Sequence, residues 1–145
     1  MTLREQVEEV VDAALSAAVA DGSLPLEEVP AAALERPRDA ANGDWASTVA
    51  LRAAKAAHMK PRDVAEVVVS HLPKNDLIAS TEIAGPGFVN IRLTNAALGS
   101  VIDEARREGM DFGRGEAPAN AGRINLEYVS ANPTGPMHVG HGRWA

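Results

Sequence analysis

The stretch LIASTEIAGPGFVNIRL, residues 77–93, holds two runs in which Ile, Val, Thr and Phe recur, separated by Gly85-Pro86-Gly87. Runs of that kind on either side of a Gly/Pro turn predict an antiparallel hairpin. Phe88 and Asn90 alternate with Val89, so both point to one face of the second strand. An amide between Val89 and Ile91 is costly to bury without partners, and Asn90 is therefore expected to be exposed and functional. Phe88 has two readings from the residues alone. It is either a core side chain or an exposed ring.

The segments flanking the hairpin read as helices. Leu3, Val7, Val10, Val11, Ala14, Leu15 and Ala18 recur at helical spacing over residues 3–20. "DGSLP" ends that helix. Residues 27–46 are broken by Pro30, Pro37 and Gly43 and read as irregular, with room for a short strand. Ser47 or Thr48 can cap a helix running to about His58. Pro61 suits the first position of another, with Asp63 in its first turn and an end near Leu72. Thr94 and Asn95 begin a fourth, closed by Gly109 after Glu108. "GMDFGRGEAPANAG" has no periodicity and reads as a linker. "RINLEYVS" then reads as a strand, followed by a Pro/Gly loop and a helix start. The predicted fold class is α+β: N-terminal helices packed on a small antiparallel sheet over residues 1–114. Residues 115–145 add a linker and a first strand, loop and helix start.

Composition narrows the function classes. The 145 residues are 46 % apolar, with five aromatic side chains, so the core must be built from Ala, Val, Leu and Ile. The absence of cysteine excludes disulfides and thiolate metal sites, and suits a reducing compartment. The N-terminus lacks the pattern of a signal peptide, and no run approaches the ~20 apolar residues of a membrane span. A cytoplasmic protein without membrane contact is expected. The formal charge of −6 argues against a general nucleic-acid binder. Its distribution is uneven. Residues 1–35 carry one basic against eight acidic side chains, 36–74 seven against four, and 75–145 six against eight. Arg36, Arg38, Arg52, Lys55, Lys60, Arg62 and Lys74 form either a modest basic face or scattered solvated charge.

The segment EYVSANPTGPMHVGHGRWA, residues 127–145, carries the most chemistry. A strand, a tight Pro/Gly loop and a helix N-terminus gather unpaired N–H groups around an anion. His138 and His141 fall on one face of the first turn, and Gly140 leaves room for a ligand to approach. Imidazoles so placed can donate to phosphate oxygens and stabilise charge in a displacement at phosphorus. A metal site lacks a third ligand, since His58 and His71 lie in other helices. A Ser130 or Thr134 nucleophile lacks an acid to orient a histidine. A plain structural turn stays open.

"HVGH" behind "SANPTGPM" resembles the HIGH signature of class I aminoacyl-tRNA synthetases, in the form found in arginyl-tRNA synthetase. "NGDWASTVALRAAK" and "IAGPGFVNIRL" resemble two landmarks of that family's N-terminal additional domain. The three matches occur in order across most of residues 42–145. The resemblance implies ligation of arginine to tRNA-Arg at the expense of ATP, which enters with Mg2+ as a substrate, and no protein-bound metal or prosthetic group. It implies a Rossmann-like catalytic domain begun by residues 115–145, and a monomer. His138, Gly140 and His141 would hold ATP, with the histidines as the catalytic pair. Ser130 and Asn132 would hold the α-amino end of arginine, with Glu127 a further acidic contact. Phe88 and Asn90 match positions that read a base at the tRNA elbow. Two departures stand out: Gly135 replaces a lysine found in some members, and Trp144 a small residue after "GHGR". The resemblance also implies that these residues are an N-terminal fragment, inactive alone. The alternative is a stand-alone tRNA-elbow-binding module.

Overall fold

The structure, a computed structural model, describes residues 2–115, 122–123, 125, 134–136 and 138–142, with 141 and 142 described by backbone only. The chain divides into two compact units, Met1–Phe112 and Gly113–Ala145.

The first unit opens with helix α1, Leu3–Ala20. Thr2 and Glu5 form a reciprocal capping box: the Glu5 N–H donates to Thr2 Oγ1 at 3.3 Å, and the Thr2 N–H donates to Glu5 Oε2 at 2.7 Å. The face bearing Val7, Val11, Ala14, Leu15 and Ala18 is buried, as the periodicity requires. Helix α2 spans Val49–Ala53, and α3 spans Pro61–Ser70 with Pro61 opening the helix. Helix α4, Asn95–Glu108, is capped by the Thr94 hydroxyl, which accepts from the Ala97 N–H. Gly109 ends it in the left-handed region at φ 57°.

Four strands form one antiparallel sheet in the order β1-β2-β4-β3: β1 Leu34–Glu35, β2 Trp45–Ser47, β3 Ile78–Ala84 and β4 Phe88–Leu93. The expected hairpin is β3–β4, pairing Ala84 with Phe88, Ile83 with Val89 and Glu82 with Asn90. One face of β4 gives Val89, Ile91 and Leu93 to a core shared with Leu15, Leu24, Val64, Val68 and Trp45. Helix α3 touches α1, α2, β3 and β4, and so closes the helical layer over the sheet. The α+β class with helices on a small antiparallel sheet is thus what the residues form.

Two glycines explain why the landmark segments read as they do. A Cβ on Gly43 would lie 2.7 Å from the Ile91 carbonyl oxygen, and its φ of 101° disfavours any side chain. The next N–H, of Asp44, donates to that same oxygen at 2.8 Å, while the Asp44 carboxylate accepts from the Leu93 N–H at 2.8 Å. "NGD" therefore fastens the chain to β4. Gly87 lets the hairpin meet α3, since a Cβ there would lie 2.8 Å from the Pro61 carbonyl.

Three local expectations need revision. Helix α2 ends at Ala53 rather than running to His58. Residues 54–58 form a succession of turns, in which His58 adopts φ 53° and the Met59 N–H reaches the Ala54 carbonyl. Of the two candidate caps, Thr48 precedes α2 without capping it by its side chain, because its hydroxyl donates to the Ala33 carbonyl, whereas Ser47 Oγ accepts from the Val49 N–H at 3.3 Å. Residues 27–46 contain two short strands and a 3-10 turn, Ala40–Asn42, rather than one strand. In the second unit a short helix, Val139–Gly142, comes after a turn at 134–135. The strand expected over 123–130 lies mostly outside the described residues.

Candidate nucleic-acid interface

The face of β4 turned away from the core carries Phe88, Asn90 and Arg92. On either side of Asn90 stand Ala46 of β2 and Glu82 of β3, and opposite Phe88 stands Ala84. Directly opposed residues in an antiparallel pair share a face. Two alanines beside two larger side chains therefore leave a trough. The chain leaving β1, Arg36-Pro37-Arg38, lines that trough and gives a cleft of about 480 Å3 with Asn90 and Phe88 in its wall.

Asn90 is 7 % exposed, which corrects the expectation that it stands open to solvent. The reason is the company it keeps: the adjacent segments shelter it, although it lies on the sheet face away from the core. Its amide makes no hydrogen bond to any described residue. Yet no fully enclosed side-chain nitrogen or oxygen among the described residues lacks a partner. The amide therefore meets the cleft, with a donor and an acceptor both available. Phe88 is half-buried, on the same side of the strand as Asn90.

Charge around the cleft is committed to different degrees. The Arg36 guanidinium lies 4.1 Å from the centre of the Trp45 ring, and donates to the Asp44 carbonyl at 3.4 Å. Arg92 donates to the Ala41 carbonyl. Arg38 is exposed and makes no bond or ion pair with any described residue. Glu35 lines the same cleft, and Asp39 is occupied, accepting from the Ala41 N–H at 2.9 Å. Of the other middle-segment cations, Arg62 reaches the Gly85 carbonyl at 3.4 Å, and Arg52, Lys55 and Lys60 are exposed.

Sequence reasoning singled out Phe88 and Asn90 and missed what shapes their surroundings, namely Ala46, Ala84 and the turn through Pro37. An Arg-Pro-Arg run beside a two-residue strand was the available signal. The geometry it creates comes from residues distant in sequence.

In the second unit, the Gly140 N–H donates to His138 Nδ1 at 3.0 Å, which leaves the proton of a neutral ring on Nε2. A Cβ on Gly140 would lie 2.8 Å from His138 Cε1, so the lack of a side chain here lets the imidazole lie against the backbone. Ser130, Asn132 and Glu127, and the His141 side chain, lie outside the described residues. Among the described residues there is no group of three potential metal ligands, and no helix is long and apolar enough to cross a membrane.

Comparison with known proteins bears on these features. The pattern defining the arginyl tRNA synthetase N terminal domain matches residues 5–93. An arginine–tRNA ligase of Thioalkalivibrio sulfidiphilus is 46 % identical over 143 residues, covering 99 % of this chain and 24 % of that protein. That of Bifidobacterium animalis subsp. lactis is 48 % identical over 127 residues, covering 86 % and 21 %. The fold is similar to that of a Thermus thermophilus arginyl-tRNA synthetase, with a TM-score of 0.58 and 23 % identity over 98 % of this chain and 21 % of the other. The chain thus spans about a quarter of the length of the curated relatives it matches.

Proposed function

Because the chain belongs to the arginyl tRNA synthetase N terminal domain family, we propose that its first unit docks on the elbow of tRNA-Arg. A base from that elbow enters the cleft between the sheet and the Arg36–Arg38 segment. The observation that supports this most is the amide of Asn90, nine-tenths buried yet facing the cleft without a partner among the described residues. A sheltered polar group held open costs stability, and such a cost is recovered when a ligand supplies the missing bonds. Asn can pair with the edge of a base such as adenine, and the adjacent Phe88 ring can stack on its face. Loop bases splayed from an RNA fold are recognised in this way, and the overall charge of −6 is no obstacle when only one face meets phosphate.

The reaction we assign to the whole protein is arginine–tRNA ligation: ATP, with Mg2+, activates the arginine carboxylate, and the tRNA terminus takes the arginyl group. In it His138, Gly140 and His141 serve the ATP phosphates and adenosine, and Ser130 and Asn132 hold the α-amino end of arginine. The protein works in the cytoplasm as a monomer. A second reading, tRNA-elbow binding without catalysis, is favoured by one observation. Every buried core residue described lies between Val7 and Ala97, so the binding unit has a core of its own.

Binding of the full chain to a fluorescent tRNA-Arg transcript tests the docking surface. Phe88→Ala and Asn90→Ala are each expected to weaken binding, the former by about 1–3 kcal/mol, while His138→Ala leaves it unchanged. If Phe88→Ala and Asn90→Ala, folded by circular dichroism, bind as the parent does, the cleft is not the tRNA site.

A further inference from the structure

We propose that Arg38 holds the backbone phosphate of the nucleotide whose base enters the cleft, so that the site takes a whole nucleoside monophosphate unit of RNA rather than a base alone. The inference rests on the cleft being the tRNA site. Three observations carry it. First, the cleft is larger than a base needs. Its volume of about 480 Å3 extends from Asn90 and Phe88 to the Arg36-Pro37-Arg38 segment. Second, Arg36 and Arg38 line the cleft and Arg92 lies further along the same face of β4, and the three differ in freedom. Arg36 is stacked on Trp45 and bonded to the Asp44 carbonyl, and Arg92 is bonded to the Ala41 carbonyl. Arg38 alone of the three lines the cleft without a bond, ion pair or ring contact to a described residue. Third, the backbone that presents Arg38 is fixed on both sides. Pro37 restricts its own φ, Arg36 is anchored, and Asp39 opens the 3-10 turn Ala40–Asn42 through its carboxylate.

The acids nearby give the ligand a direction. Glu35, Ala46, Asn90 and Glu82 form one row across the sheet, so carboxylates stand on both sides of Asn90. A phosphate is repelled from that row, whereas amino and hydroxyl hydrogens of a base or ribose can be accepted there. The nucleotide therefore lies with its base over the row and its phosphate toward Arg38. A guanidinium suits that end, since its fork can grip two phosphate oxygens.

Salt dependence separates this role from base recognition. Each phosphate neutralised by a side chain contributes a slope of about 0.7–0.9 to the fall of log K with log salt concentration. With the full chain and a tRNA-Arg transcript, Arg38→Ala is expected to reduce that slope by about one such step, and Arg38→Lys to keep it. Phe88→Ala should weaken binding at every salt concentration without changing the slope. If Phe88→Ala weakens binding but Arg38→Ala leaves the slope as it was, the phosphate role is wrong and the docking surface stands. The phosphate role fails equally if Arg38→Lys loses the slope as fully as Arg38→Ala, because the charge would then not be what binds. If Phe88→Ala and Asn90→Ala both bind as the parent does, the cleft is not the RNA site, and the phosphate role falls with it.

Discussion

Asn90 is held in a place where folding alone would favour a different side chain. Its neighbours along β4, Val89 and Ile91, face the core, while its own amide is sheltered and partnerless among the described residues. Replacing an unsatisfied sheltered amide by an apolar group of similar shape is neutral or stabilising, because nothing polar is left unpaired. Asn90→Leu is therefore expected to raise the stability toward urea, by about 0.5–2 kcal/mol, the range common for stabilising substitutions whose cost falls on function. It should also abolish tRNA binding. Urea unfolding followed by far-UV circular dichroism measures the first effect, and anisotropy of a labelled tRNA-Arg the second. A loss of stability would mean that the amide has a structural partner after all.

Between elements, the most informative contact ties the end of α1 to the end of α3. Asp21 caps α1 and His71 caps α3, with His71 Nε2 2.8 Å from Asp21 Oδ2 and Nδ1 2.7 Å from the Val67 carbonyl. The hydrogen bond from His71, followed by that from the Ser23 N–H, holds the Asp21 carboxyl at about 2. The same bond to Asp21, with the Val67 carbonyl, raises His71 above its ordinary value. A raised histidine stabilises fully below its unfolded pKa, about 6.5, and the stabilisation is lost as pH rises through the higher folded value. A depressed carboxyl stabilises fully above its unfolded value of 3.8, and the effect is lost as pH falls toward 2. The tie is thus complete between roughly pH 4 and 6.5. The melting temperature of the parent should exceed that of His71→Ala most in this window, and the gap should narrow on either side. A gap independent of pH would show that the histidine acts by packing alone. Nothing in the sequence marks these two residues as partners. α1 and α3 themselves were legible, because local periodicity and Pro61 specify them. Helix ends that meet across fifty positions are brought together by core packing. The same holds for the candidate site. That Phe88 and Asn90 share a face was readable from alternation on one strand, and their candidacy as a site came from the family resemblance, but the depth of Asn90 was not readable. It depends on β2, which Gly43 and Asp44 dock against β4, and on a turn anchored by Trp45.

For the molecule as a whole, the distribution of the core sets what each part can do. The buried apolar cluster draws on α1, β1, β2, α2, α3, β4 and the first turn of α4, and its described members end at Ala97. About 110 residues are enough to fold around a single core of this kind. The cleft residues, from Glu35 to Asn90, fall within the same unit. A polypeptide ending at Phe112 is therefore expected to unfold in one cooperative transition at the midpoint of the 145-residue chain, and to bind the tRNA-Arg transcript as tightly. Arginylation is a different matter. Reacting groups must be held to within a fraction of an ångström by several supporting elements, and the chain matches only about a quarter of the length of the ligases it resembles. The 145 residues by themselves should bind tRNA-Arg and transfer no arginine to it from ATP, arginine and Mg2+. Turnover above background would require the second unit to hold ATP and arginine unaided. Loss of tRNA binding on truncation at Phe112 would instead mean that residues 113–145 contribute to the docking surface, and that the cleft is only one part of it.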